Sequence, residues 1–237
     1  MTELEAPANS SVLYMARGDE VEPLRPLLQG DVLDGIEIPG LDDGVGLATI
    51  LAHPCAMRTA GGALRPRIAM ARVRPYEGIP FDSWPKGHYR VLPLPDLRPQ
   101  LPQERVAADF EMSGPVRTTN LAASPRIACL SEYGIAVLQQ RLVHHETRVV
   151  IELPVLDEQS APNIEEAALL EEWLVSLVQN PNDANEVAEL TGRFNDYLDS
   201  AGNQLRRALR EPLKRAGVRR QIMQEIEHIQ PKTSPTP

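Results

Sequence analysis

Short apolar runs separated by polar and turn residues fill the N-terminal part of the chain and predict β-strands. Val45–Leu51 is a continuous apolar run, typical of a central buried strand, and Arg67–Val73 alternates basic with apolar residues. Further strands are predicted at Asp31–Pro39, Tyr89–Leu94 and Ala107–Met112. Most of the 22 prolines lie before residue 162, and proline disfavours long helices because it lacks a backbone N–H.

Helical spacing begins after Ser131, which can cap a helix whose apolar positions include Ile135, Leu138 and Leu142. This helix is expected to end near residues 144–145. Val149–Val155 then follows as either a last strand or an extended connector.

From Pro162 onward the pattern predicts helices. The expected boundaries are Asn163 with Glu166 as a capping signature, Asn182 or Asp183 as a second start, and Pro212 as a break or restart. The later apolar stripes comprise Val187, Leu190, Phe194 and Leu198, then Leu205, Leu209 and Leu213, then Ile222, Ile226 and Ile229. Each stripe indicates one helix face that packs against a neighbour.

These patterns predict an α+β protein with a β-barrel domain followed by a C-terminal helical region. The expected divisions are a flexible N-terminal arm at 1–27, with or without one docked strand, a barrel domain at 28–156, a helical extension at 157–230 and a disordered tail at 231–237.

Composition narrows the classes of function. A net charge of −9 disfavours a general nucleic-acid binder, and 4% aromatic residues argue against a stacking platform for single strands. No apolar run reaches the roughly 18 residues of a membrane span, and the polar N-terminus is unlike a signal peptide, so a cytoplasmic location is predicted. Cys55 and Cys129 lack a metal-ligand spacing, so neither a metal nor another cofactor is predicted.

The order of the elements resembles the PemK/MazF family of toxin ribonucleases. Gly30-Asp31-Val32 matches the opening strand of that family, Gly46–Leu51 its second strand, and Ser131–Leu142 the helix that follows a basic strand. The match covers roughly residues 28–150, about half of the chain. The resemblance implies an SH3-like barrel, metal-independent endoribonuclease activity, a toxin–antitoxin context and a homodimer formed through the barrel.

Two departures from the family concern its catalytic residues. The family places an Arg in the loop before the second strand and a Thr or Ser after the third. Here that loop reads Asp42-Asp43-Gly44, whose carboxylates would repel a phosphate, and the third strand runs into Arg74-Pro75. The usual catalytic pair is therefore expected to be absent.

A second candidate set lies at the end of the second strand, where His53, Cys55 and Arg58 fall within six residues. They could act as general base, nucleophile and anion clamp respectively. In an extended segment, however, His53 and Cys55 share a face without assured contact. The alternative is a structural strand terminator with Cys55 as a small buried hydrophobe.

A cationic set, Arg65, Arg67, Arg72 and Arg74, is predicted to bind nucleic acid. Strand alternation predicts that Arg65 shares a face with Arg67, and Arg72 with Arg74. The alternative is a solvated face paired with acidic helices.

Two further sequence features each allow two interpretations. The aromatic residues of the Pro75–Pro85 loop either cover one end of the barrel or form a binding lip. In the helical region, acidic residues dominate 157–199 and basic residues dominate 205–220. Either these helices pair with one another, or the basic helix binds RNA, DNA or an acidic partner.

Three functions follow from these alternatives. The first is a divergent barrel that acts as a non-catalytic binding or regulatory module in a toxin or defence-type system, with RNA or a protein as its partner. The second is an endoribonuclease with a rearranged active site. The third is a structural subunit that assembles through its helical half.

Overall fold

A computed structural model describes residues 3–41, 44–59, 63–101, 103–121, 124–200 and 204–230. The chain divides into two compact units. Met1–Glu22 with Leu27–Ser160 forms the β-rich unit, and Pro23–Pro26 with Ala161–Pro237 forms the helical unit. The tail predicted at 231–237 lies outside the described residues.

A seven-stranded antiparallel sheet forms the β-rich unit, in the order β1-β7-β2-β3-β4-β6-β5. The strands are β1 Tyr14–Arg17, β2 Val32–Glu37, β3 Val45–Ile50, β4 Arg67–Pro75, β5 Val91–Pro93, β6 Val106–Arg117 and β7 Arg126–Leu130. The predicted strands are thus confirmed in position. The N-terminal segment, expected to be an arm, supplies the edge strand β1.

The sheet is not closed into a barrel, although the predicted α+β class is confirmed. Side chains of β1 reach across to the turn that follows β5. The Tyr14 hydroxyl donates to the carbonyl of Pro95 at 2.9 Å, and Arg17 donates to the carbonyl of Asp96 at 2.6 Å. The two edges of the sheet are therefore joined by side-chain contacts and not by a strand ladder.

Three α-helices lie wholly within the described residues of this unit: α1 Pro54–Met57, α2 Thr118–Leu121 and α3 Glu132–Thr147. The predicted cap of α3 is confirmed, because Ser131 Oγ accepts the Gly134 N–H at 3.0 Å. The helix ends at Arg148, which adopts the left-handed conformation.

The next helix, α4, spans Leu153–Leu177 and corrects two predictions. The strand alternative for Val149–Val155 is wrong, and Asn163 is not a cap because the helix runs through Pro162. Proline removes one backbone bond, the one to the carbonyl of Glu158. Glu158 is exposed, so water can hydrate that carbonyl.

The helical unit continues with α5 Ala184–Asp199, α6 Leu205–Ala208 and α7 Pro212–Ile229. Asp183 caps α5 as predicted, and Pro212 restarts the chain as α7. The predicted position of Leu213 in an apolar stripe is wrong, because this side chain is 99% exposed. The core of the unit includes Leu169, Trp173, Leu190, Phe194, Leu198, Leu205, Leu209, Val218, Ile222 and Ile226.

Ion pairs join the acidic and basic segments of the helical unit. The predicted pairing of the acidic helices with the basic segment is therefore confirmed for two arginines. Arg206 pairs with Glu166 at 3.2 Å and also with Asp199. Arg219 pairs with Glu165 at 3.1 Å and also with Glu172. Across the described part of the chain, every helix is too short or too polar to cross a membrane.

Replacement of Gly134 by alanine should destabilise the β-rich unit. A Cβ at this position would lie 2.2 Å from the carbonyl oxygen of Leu13, where backbone must move. We expect a loss of about 2 to 3 kcal/mol in the free energy of unfolding, measured by urea denaturation.

The matched control is Gly217→Ala in α7, where nothing lies within 4 Å of the added Cβ. Helix propensity predicts a gain of about 0.5 to 1 kcal/mol there. Equal effects of the two substitutions would contradict the close approach of α3 to Leu13.

Candidate functional site

A one-turn helix brings together two of the predicted catalytic residues. The chain leaves β3 and enters α1 at His53-Pro54, where proline suits the first helical position because its missing N–H would be unpaired there. His53 caps the helix, since its Nδ1 accepts the Cys55 backbone N–H at 3.3 Å. The turn also places Cys55 Sγ 2.9 Å from Nδ1. The contact that an extended segment would not assure is therefore made.

Buried polar side chains hold the other ring nitrogen of His53. Its Nε2 lies 3.3 Å from Oγ of Ser160, a residue only 2% exposed. The Gln139 amide donates to Ser160 Oγ at 2.8 Å and to Gln29 Oε1 at 2.7 Å. Gln29 in turn donates to the carbonyl of Leu51 at 2.7 Å, which returns the chain of bonds to the end of β3.

Burial lowers the pKa of His53, so the imidazole is neutral at neutral pH. The hydrogen-bond network assigns its tautomer. Nδ1 accepts a backbone N–H and therefore carries the lone pair, which leaves the proton on Nε2, facing Ser160. The Cys55 thiol itself is exposed, so a half-buried base faces an accessible nucleophile.

Arg58, the third member of the predicted set, follows α1 directly. Its guanidinium donates to the carbonyl of Leu27 at 3.2 Å, and its backbone pairs with Leu64 in an isolated bridge. Arg58 thus ties the segment after α1 to the segment that precedes β2.

Three exposed arginines lie shortly after α1 and at the ends of the adjoining strands. The Arg65 backbone N–H donates to the carbonyl of Met57 at 2.8 Å, beside α1. Arg67 opens β4 and stands directly opposite Arg117, the last residue of β6. Within the described residues, none of these three guanidinium groups has an ion pair or hydrogen bond. We call Arg65, Arg67 and Arg117 the cationic edge.

Arg72 and Arg74 do not join the cationic edge. Arg72 is 3% exposed, and its guanidinium donates to the carbonyls of Ile36 at 2.8 Å and Gly44 at 2.7 Å. Arg74 bonds the buried carboxylate of Asp109 at 2.8 Å. The phosphate-binding face expected from Arg72 and Arg74 is therefore not formed, because one guanidinium is buried and the other is paired with a carboxylate.

The Pro75–Pro85 loop contains features of both predicted alternatives. Trp84 is fully buried beneath the Arg141 guanidinium, which lies 4.9 Å from the ring centre, so this aromatic side chain packs against the fold. Beside it is an open cavity of about 420 Å³, whose lining includes Phe81, Asp96 and Arg105.

Two sequence features concern phosphate and metal chemistry. Asp42 and Asp43, the carboxylates of the loop before β3, lie outside the described residues. Within the described ranges, no group of three or more His, Cys, Asp or Glu side chains could hold a metal ion.

Sequence reasoning missed Ser160, Gln139, Gln29 and Arg117. The three polar residues carried no signal, because each is uncharged and hydrogen-bonds a residue that is distant in sequence, as Gln139 does with Gln29 110 positions away. Arg117 could have been found only from the register that pairs it with Arg67.

Comparison with known proteins gives no relative for this chain: no family model, curated protein or solved structure matches it.

Arg72→Met should destabilise the β-rich unit by about 3 kcal/mol, because it leaves buried carbonyls without donors. Arg67→Met is the matched control at an exposed position of the same strand, with an expected change of no more than about 0.5 kcal/mol. Urea denaturation of both variants measures the difference. A stable Arg72→Met protein would contradict the internal role of this guanidinium.

Proposed function

We propose that this protein is a divergent PemK/MazF-like barrel that acts as a non-catalytic RNA-binding module in a toxin or defence-type system. The observation that carries the proposal is the cationic edge. Arg67 and Arg117 face each other across β4 and β6 without an acidic partner in the described residues. Like charges directly opposite each other destabilise a sheet, and a bound phosphate would relieve that repulsion.

The order of elements supports the barrel ancestry. Gly30-Asp31-Val32 leads into β2, an apolar β3 follows, and α3 comes after the basic-starting strand β7. The contacts of Tyr14 and Arg17 with the turn after β5 draw the sheet edges towards each other, as an SH3-like barrel would require. A homodimer formed through this unit belongs to the same proposal.

We infer single-stranded RNA as the ligand because the resemblance to the PemK/MazF ribonucleases implies RNA, and because the cationic edge offers guanidinium groups for its phosphates. Arginine binds phosphate in a bidentate manner, so the cationic edge suits the backbone and not the bases. With about three phosphate contacts, the logarithm of affinity should fall with the logarithm of salt concentration with a slope of about −2.

The endoribonuclease alternative has one observation in its favour, the neutral His53 whose Nδ1 carries a lone pair. Such a group could take the proton of a ribose 2′-hydroxyl. Against it, β4 ends at Arg74-Pro75 without a hydroxyl side chain, Arg72 is committed to internal carbonyls, and Arg58 binds the Leu27 carbonyl.

The test is a gel-shift and fluorescence titration of labelled single-stranded RNA at low salt without added metal. We expect the double variant Arg67→Ala/Arg117→Ala to weaken binding at least tenfold and to reduce the salt slope. The matched control is Arg207→Ala/Arg210→Ala, which removes two exposed cations from the helical unit and should bind like the parent.

The other possible results would reject the cationic edge or favour one of the alternative functions. Equal loss in both double variants would show unspecific charge attraction and overturn the cationic edge. RNA cleavage by the parent that His53→Asn abolishes would establish the endoribonuclease. Absence of both binding and cleavage would reject both RNA functions and leave the structural subunit.

A further inference from the structure

The contact between Cys55 and His53 has the geometry of an activated thiol. We propose that Cys55 is a nucleophile that forms mixed disulfides with low-molecular-weight disulfides, with His53 as its general base. The proposal does not depend on RNA binding, since it rests on α1 and its buried supports and not on the cationic edge.

The first support is the direction of the hydrogen bond. Nδ1 of His53 accepts the backbone N–H of Cys55 at 3.3 Å, so the same lone-pair side of the ring faces Sγ at 2.9 Å. The thiol is therefore the donor and the imidazole the acceptor. A base in this position removes the proton as the sulfur attacks, and the thiolate is the reactive form.

The second support is the network of buried hydrogen bonds that holds the His53 ring from behind. Ser160 and Gln139 are 2% and 7% exposed, and buried polar groups are retained in a fold only when they are hydrogen-bonded. Here their bonds run from His53 Nε2 through Ser160 and Gln139 to Gln29. These are positioning residues, because they fix the tautomer and the orientation of the ring without touching the thiol.

The backbone hydrogen bonds around the thiol favour disulfide exchange over acyl transfer. Acyl transfer needs N–H groups that stabilise an oxyanion. The N–H groups of Ala56 and Met57 both donate to the carbonyl of His53, at 2.8 Å and 3.1 Å, and that of Cys55 donates to Nδ1. Thiol–disulfide exchange needs no oxyanion donor, so it is the chemistry that this turn supports.

The reaction balances without a further reactant. Cys55 Sγ attacks one sulfur of the disulfide RS–SR, the S–S bond breaks, and a new Sγ–S bond forms. His53 Nδ1 accepts the thiol proton and passes it to the departing RS⁻. The products are the mixed disulfide of Cys55 and one molecule of RSH.

The cysteine content of the chain determines the fate of that product. The sequence contains two cysteines, and the second, Cys129, is 0% exposed in β7. An internal resolving thiol is thus inaccessible in the folded protein, and the mixed disulfide should persist until an external thiol removes it. Cys55 is therefore a site of reversible thiolation.

The test measures the rate at which the full-length protein reacts with dithiodipyridine, an uncharged aromatic disulfide whose leaving group absorbs light. The key variant is His53→Asn, because asparagine is a favoured N-cap and keeps the cap bond, but it is not a base. At pH 7 we expect the parent to react at least tenfold faster than this variant, in line with general-base catalysis of that size or more.

The pH profile separates loss of the base from a disturbed fold. At high pH hydroxide removes the thiol proton without a protein base, so the two rates should converge. Ser160→Ala should give a smaller loss, about threefold at pH 7, with the same convergence at high pH. Mass spectrometry after treatment with oxidised glutathione should show one glutathionyl group, on Cys55, and its removal by dithiothreitol.

Three results would overturn the proposal: equal rates for the parent and His53→Asn at pH 7, a rate difference that persists unchanged at high pH, or modification that occurs at Cys129. None of them bears on RNA binding, so a failure here is distinguishable from a failure of the proposed function.

Discussion

Three consecutive polar residues, Gln139–Arg141, are buried on α3, and the β-rich unit is organised around them. Gln140 accepts the backbone N–H of Glu5 at 2.6 Å and donates to the carbonyl of Ile151 at 2.8 Å. Gln139 bonds Ser160, and Arg141 donates to the carbonyl of Trp84 at 2.9 Å. One helical turn thus fixes the N-terminal segment, the loop before β5 and the start of α4. Breaking any of these contacts would leave a buried polar side chain unpaired and so destabilise the folded state.

Arg141 is the costliest member of this set, since burial of a charge must be offset by hydrogen bonds. Its guanidinium donates to the carbonyls of Trp84, His88 and Val91 and lies over the Trp84 ring. Burial lowers its pKa to about 10, which leaves it charged at neutral pH. The edge strand β5 is therefore held by helix α3 at the point where the sheet stays open.

How much of the structure the sequence predicts depends on how far apart the interacting residues lie along the chain. Ser131 as the cap of α3 was predictable because cap and helix are adjacent in sequence. Gln139 was not, since a polar residue on an apolar face has no meaning until its partners are known, and Gln29 lies 110 residues away. The end of the second strand at His53 is predictable from the sequence, but the helical form of the next residues, which creates the contact with Cys55, depends on packing.

Charge counting has the same limit, and it bears on what the net charge of −9 means. Arg72 is used for internal carbonyls, and Arg206 and Arg219 each bind two carboxylates of the helical unit. Arginines that the sequence presents as available cations are thus part of the fold. Because so many are committed in this way, a pair such as Arg67 and Arg117, opposed without an acid in the described residues, is informative in an acidic protein. A local cationic surface can therefore attract an anion although the net charge of the protein is negative. At physiological salt, charges more than roughly 8 to 10 Å away are largely screened.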